Sequence, residues 1–131
     1  MFAHPWTGFA TVFILGVYFW NMIRIGKARK EHNISAPEMT GPEAFNRVIR
    51  VHANMIEQMV IFLPLLWLFA ITYVDIYAAC VGLLFAIGRI IYSLGYYEAA
   101  DKRGTGFMIG FIALMIAAVG SLYGLVMTLT S

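Results

Sequence analysis

Apolar residues run along this chain in four blocks, at roughly 6–25, 48–73, 76–97 and 105–129, with polar residues gathered in the three connections between them. Each block is close to the ~20 residues that a helix needs to cross ~30 Å of hydrocarbon. The pattern predicts an all-α membrane protein: a four-transmembrane-helix bundle, up-down in topology, forming one domain over 1–131. The first connection, "GKARKEHNISAPEMTGPEAF", contains Pro37, Gly41 and Pro42 as helix breakers. The second is little more than "TYVDIY" and the third is "YEAADKRGTG", so consecutive spans should be antiparallel neighbours.

Composition agrees with the pattern. Of 131 residues, 61% are hydrophobic and 12% are charged, against about a quarter charged in an average soluble domain. A net charge of +2 leaves no broad basic face for nucleic acid. The single cysteine, Cys80, excludes an internal disulfide framework and a cysteine-built zinc site. It falls toward one end of the third span and reads as a core residue rather than a nucleophile. His4, His32 and His52 form no metal-binding spacing, so no metal is expected. No Lys or Arg precedes the first apolar block and no small-residue cleavage pattern follows it, so that block is expected to remain as a span.

Charge then orients the spans. Arg24, Lys27, Arg29, Lys30, Arg47 and Arg50 cluster around the first connection, and Lys102 and Arg103 sit at the third. The second connection and both ends of the chain carry no Lys or Arg. The positive-inside rule therefore places the first and third connections in the cytoplasm and both termini on the opposite side. In the fourth span, Gly106 with Gly110 and Gly120 with Gly124 give two G-x-x-x-G spacings. Such spacings permit close helix approach, to a neighbour in the same chain or in another.

One block breaks the apolar rule. The second span begins "RVIRVHANMIEQ" before it turns apolar. On a helix Arg47, Arg50, Asn54 and Glu57, spaced three, four and three apart, share one stripe, while His52 points elsewhere. In the third span Arg89, Tyr92 and Tyr96 share a face, which Arg103 joins if the helix continues. An ionised side chain at a helix centre costs about 2.5–3.5 kcal/mol on insertion scales, so such residues pair or line a polar cavity. A Glu57–Arg89 ion pair, with the remaining arginines acting as topology signals, would account for part of the set. The larger number of polar groups points to a site for a multiply charged, peptide-like ligand: Arg pairs carboxylates, Glu holds an ammonium and Asn reads an amide.

These residues carry a resemblance. "RVIRVHANMIEQ" followed by "FLPLLWL", with "TGPEAF" upstream and "GRIIYSLGYYEAADKR" downstream, is similar to the MAPEG family, the membrane-associated proteins in eicosanoid and glutathione metabolism. Its members include microsomal glutathione transferases, leukotriene C synthase and microsomal prostaglandin E synthase. The likeness is detailed from about Arg29 to Arg103, and the four-span layout extends it along the chain.

The resemblance implies a homotrimer that binds glutathione, as cosubstrate, between neighbouring subunits, and a second, hydrophobic electrophile or lipid substrate arriving from the membrane lipid. It implies glutathione contacts at Arg29, Arg50, Asn54, Glu57, Tyr92 and Tyr96, with Arg89 as the adjacent structural arginine; Arg47, on the same stripe, is expected to support the site. It implies that Arg103 lies against the glutathione sulfur as the catalytic residue, stabilising the thiolate for conjugation or peroxide reduction. Gln58 departs from the leukotriene synthase pattern, which has a tyrosine there. The family also contains a lipoxygenase-activating member, so a non-catalytic lipid-binding accessory protein is the alternative. Retention of Arg50, Asn54, Glu57 and Arg103 together favours the enzyme.

Overall fold

The computed structural model describes residues 1–131, and its secondary structure is helical throughout. Helix α1 runs Pro5–His32, α2 Glu43–Thr72 and α3 Asp75–Glu98; a single 3-10 turn, Ala100–Arg103, leads into α4, Gly104–Thr130. All four helices are long and apolar enough to cross a membrane. Each is longer than its apolar block, most at the basic end, where α1 and α2 project as polar turns. The architecture is the four-helix membrane bundle that the apolar pattern predicts.

Local chemistry sets where the helices stop. Pro5 opens α1, where its fixed φ suits a first turn and its missing N–H costs nothing. Asn33 closes α1 in the left-handed region at φ 55°, a conformation that asparagine tolerates, and the Ile34 N–H reaches back to the Arg29 carbonyl at 3.0 Å. Inside the first connection the Glu38 carboxylate accepts bonds from the Thr40 hydroxyl and from the Thr40 and Met39 N–H groups, which hold it below the usual carboxylate range. Pro64 lies within α2 without ending it, as membrane helices allow.

The core is aromatic and aliphatic at its centre, where Phe62 of α2 stacks on Phe85 of α3 with centroids 3.9 Å apart. Around this pair pack Ile14, Met55, Leu66, Ala113 and Ala117. The buried face of α4 is almost entirely small: Gly106, Gly110, Ala113, Ala117, Ser121 and Gly124. A Cβ on Gly106 would strike the Tyr92 backbone of α3, and one on Gly124 would strike Thr72 of α2. Both glycine pairs of the fourth span thus bring it against helices of its own chain. The outward faces remain apolar, with Phe9, Val12, Val60, Ile71, Val119 and Leu122 all exposed. That surface belongs in hydrocarbon.

Polar pairs tie the helices at several depths. The Asn21 amide of α1 donates to Ser93 Oγ at 3.2 Å and to Tyr97 Oη at 3.0 Å on α3. The Ser121 hydroxyl of α4 donates to the Leu65 carbonyl of α2, and the Trp67 indole N–H to Thr11 Oγ1. At the end remote from the basic residues, the Asp75 carboxylate accepts the backbone N–H groups of Trp6 and Thr7, each at 2.9 Å, and the Thr7 hydroxyl at 2.6 Å. Asn21→Ala should lower stability by about 1 kcal/mol, the scale of interhelical hydrogen bonds in membranes, as measured by denaturant unfolding in detergent.

Candidate active site

The polar stripe of α2 faces the end of α3 and the beginning of α4, and the three enclose a pocket of about 400 Å³. It is lined by Arg50, Asn54, Tyr92, Tyr96, Arg103, Gly104 and Phe107, and its size lies within the ~300–1,000 Å³ typical of small-molecule sites. Five of the residues singled out in the sequence therefore meet around one cavity. Arg50 and Arg103 present exposed guanidinium groups, while Tyr92 and Tyr96 are buried in the wall.

Arg103 reaches the pocket by a different route from the one the periodicity suggests. Helix α3 ends at Glu98, and the 3-10 turn folds the chain back so that Gly95 lies against the Lys102 carbonyl. A side chain at position 95 would hold the turn away. Arg103 then sits at the head of α4, where its Nη1 donates to Tyr96 Oη at 3.2 Å and its guanidinium lies 5.1 Å from the Tyr96 ring centre. The same turn is stapled outside the pocket by the Lys102–Glu98 ion pair. Gly104 and Phe107, which the sequence reading missed, enter the site by following Arg103. Phe107 lies four residues on from Arg103, one helical turn, and that spacing was the available signal.

The remaining residues divide. Glu57 lies next to the pocket, its Oε2 accepting from the Asn54 amide at 3.2 Å, and it is exposed on the bundle surface midway along α2. Arg89 is 1% exposed, with its guanidinium 4.0 Å from the Tyr92 ring centre and two of its nitrogens, Nε and Nη2, without hydrogen-bond partners. It makes no ion pair with Glu57; it places a positive charge behind the Tyr92 wall. Cation–π attraction of this kind strengthens when desolvated.

Two residues turn away. Arg47 pairs with Glu43 at 3.1 Å and donates to the Tyr97 carbonyl at 3.4 Å. Its place on the α2 stripe does not bring it into the cavity, because Glu43 of its own helix and the Tyr97 carbonyl of α3 engage its guanidinium. Arg29 donates to the Glu38 carbonyl at 2.7 Å and lies over Phe45, away from the pocket of its own chain. His52 stacks on Tyr18 and shares a 3.1 Å hydrogen bond with its hydroxyl. Cys80, expected in the core, is instead exposed on the outer face of α3, since the core positions of that turn are taken by Ala78, Val81 and Gly82.

Four apolar spans with a charged pocket at one end define an integral, multi-pass membrane protein of the four-helix class. The MAPEG family pattern matches residues 7–123, and the chain belongs to that family. An uncharacterized protein of Synechocystis sp. is 43% identical over 117 residues, 89% of this chain and 85% of its own length. Microsomal glutathione S-transferase 2 of Mus musculus is 39% identical over 101 residues, 77% of this chain and 69% of that protein. Leukotriene C4 synthase of Mus musculus is 32% identical over 120 residues, 88% of this chain and 79% of that protein.

Proposed function

We propose that this protein is a membrane glutathione transferase that joins the glutathione thiolate to hydrophobic electrophiles, or uses it to reduce lipid hydroperoxides. The observation that carries this reading is the pocket itself. Two guanidinium groups, an amide and two phenols converge on a cavity at the end of an apolar bundle, and the family likeness supplies a ligand of matching chemistry. Glutathione has two carboxylates for Arg50 and its neighbours, an ammonium for Glu57 and peptide groups for Asn54. Tyr92 and Tyr96 form the wall, Arg89 backs Tyr92, and Arg47 braces α2 against α3.

Arg103 is the proposed catalytic residue. A thiol with pKa about 8.5 is about 3% ionised at pH 7, and one brought to about 6.5 is about 75% ionised. A guanidinium that never loses its proton, held at the pocket wall by Tyr96 and the 3-10 turn, favours the anion at the sulfur. The thiolate then attacks the electrophilic carbon of an apolar acceptor, forming the C–S bond. In the peroxidase variant it attacks the terminal hydroperoxide oxygen, and the O–O bond breaks to give glutathione sulfenic acid and an alkoxide that takes a proton to leave as the alcohol. A second glutathione thiolate attacks the sulfenic sulfur, forming the disulfide and expelling hydroxide, which leaves as water.

The same reading takes the protein to be a homotrimer with its first and third connections cytoplasmic and both termini opposite. Arg29, which lies apart from its own pocket, then serves the pocket of a neighbouring subunit, and Glu57 is covered at the subunit boundary. The test is titration of glutathione into the detergent-purified protein, followed by assay with an aromatic electrophile. Saturable binding with turnover is expected. Binding without turnover would favour the accessory-protein alternative. Arg50→Ala should weaken binding about 10- to 100-fold, the loss of one charge-assisted carboxylate contact.

A further inference from the structure

Away from the pocket, between α1 and α3, lies a second cavity of about 330 Å³ lined by Phe13, Gly16, Val17, Trp20, Ile90 and Leu94. It runs along the bundle surface for about 10 Å from Trp20 to Phe13, at 1.5 Å per residue. Nothing from the chain itself fills it: a Cβ at Gly16 would meet no atom within 4 Å. Toward the basic end the groove closes on an aromatic pair, Trp20 edge-on to Tyr97 with centroids 5.8 Å apart. Arg24 sits immediately beyond, its guanidinium 4.3 Å from the Tyr97 ring centre.

Arg24 has no carboxylate. The three ion pairs of the chain are Lys27–Glu31, Arg47–Glu43 and Lys102–Glu98, and none of them includes Arg24. Lys27, one turn further along the same face of α1, adds a second, exposed cation whose pairing with Glu31 is loose at 3.8 Å. Arg24 stands one helical turn, about 6 Å, beyond the end of the groove, where the apolar block gives way to the polar connection and phosphates of a bilayer lie. An apolar groove in a membrane-facing surface, ending at an unpaired guanidinium at headgroup level, complements one molecule: an acyl chain attached to an anionic headgroup. Basic sites between membrane helices bind acidic lipids in this way.

We propose that the α1–α3 groove is a binding site for an acidic phospholipid, one acyl chain lying along Gly16 and Val17 and the headgroup phosphate engaged by Arg24 with Lys27. Tyr97 holds the guanidinium in place, and Asn21 fixes Tyr97 by donating to its hydroxyl. The site is separate from the glutathione pocket and does not depend on it.

The test uses the chain with Trp6→Phe and Trp67→Phe, leaving Trp20 as the reporter, in phosphatidylcholine vesicles containing either dibrominated phosphatidylglycerol or dibrominated phosphatidylcholine. Trp20 quenching should show about five-fold preference for the acidic lipid, the scale of one basic contact near the surface. Arg24→Gln should bring the two lipids to parity. Gly16→Leu, whose Cβ meets no protein atom within 4 Å and whose side chain extends into the groove, should reduce quenching by both. In parallel, native mass spectrometry of the chain with all three tryptophans should find phosphatidylglycerol adducts that Arg24→Gln loses. Equal quenching by both lipids in the Trp20 chain would overturn the proposal. So would a preference that survives Gly16→Leu unchanged, which would place the lipid on the general basic surface. A change of oligomeric mass in Gly16→Leu would also overturn it, by showing that another copy of the chain occupies the groove.

Discussion

Arg103→Ala is expected to keep glutathione bound within a few-fold of the native affinity while the ultraviolet thiolate absorbance of the complex disappears. Arg50, Asn54 and the tyrosine walls remain, and the Arg103 guanidinium hydrogen-bonds only to Tyr96, so its loss removes charge and one lining side chain while the rest of the cavity stands. Turnover with an aromatic electrophile should fall at least about 25-fold at pH 7, the ratio of thiolate fractions for thiols of pKa about 6.5 and 8.5. The sign of the pH response follows. The native rate should rise through pH about 6.5 and be nearly level above about 7.5, and that of the variant should climb through about 8.5, where the free thiol ionises. Arg103→Lys should restore part of the signal, because an ammonium also carries charge but lacks the planar fork. Unchanged thiolate absorbance in Arg103→Ala would remove this residue from the chemistry.

The second large effect concerns packing. Gly106 lies buried where α4 crosses α3, and any Cβ there meets the Tyr92 backbone and the Gly88 carbonyl. Gly106→Leu must push the two helices apart, and overpacking commonly costs about 1–3 kcal/mol. Because Tyr92 lines the pocket and Arg103 stands three residues before Gly106, the same displacement should open the site. Both the unfolding temperature in detergent and the glutathione affinity should fall together. Gly104→Ala is the control: its Cβ meets nothing within 4 Å although it lines the same pocket. An unchanged unfolding temperature in Gly106→Leu would show that this helix contact is looser than its geometry states.

Much of this arrangement was legible in the chain. Four apolar blocks give four helices because in a membrane every backbone group must be satisfied within its own helix, so length and polarity alone mark the spans. The stripe that brings Arg50 and Asn54 to the pocket was readable for a related reason, since polar groups at that depth tolerate few environments, although Glu57 of the same stripe is exposed beside it. What periodicity could not supply was the competition between partners. Arg47 shares the stripe yet turns to Glu43 and the Tyr97 carbonyl, a choice that depends on where α3 happens to lie. The return of Arg103 to Tyr96 through a 3-10 turn was hidden because it rests on Gly95 meeting the Lys102 carbonyl, a contact between backbones rather than a pattern of side chains. Cys80 was misplaced because an apolar face in a membrane helix looks the same whether it meets protein or lipid.

The Asp75 clasp bears on the order in which the molecule comes together. The Trp6 and Thr7 amides at the start of α1 find their acceptor 69 and 68 residues later in the chain. While the ribosome is still making the second span, the leading helix has no latch for its first turn, and those donors must face water at the bilayer surface. Emergence of the third span brings the carboxylate and fastens first to third. A nascent chain stopped before Asp75 therefore holds two helices without their buckle, and α1 settles only after the loop between α2 and α3 has left the exit tunnel.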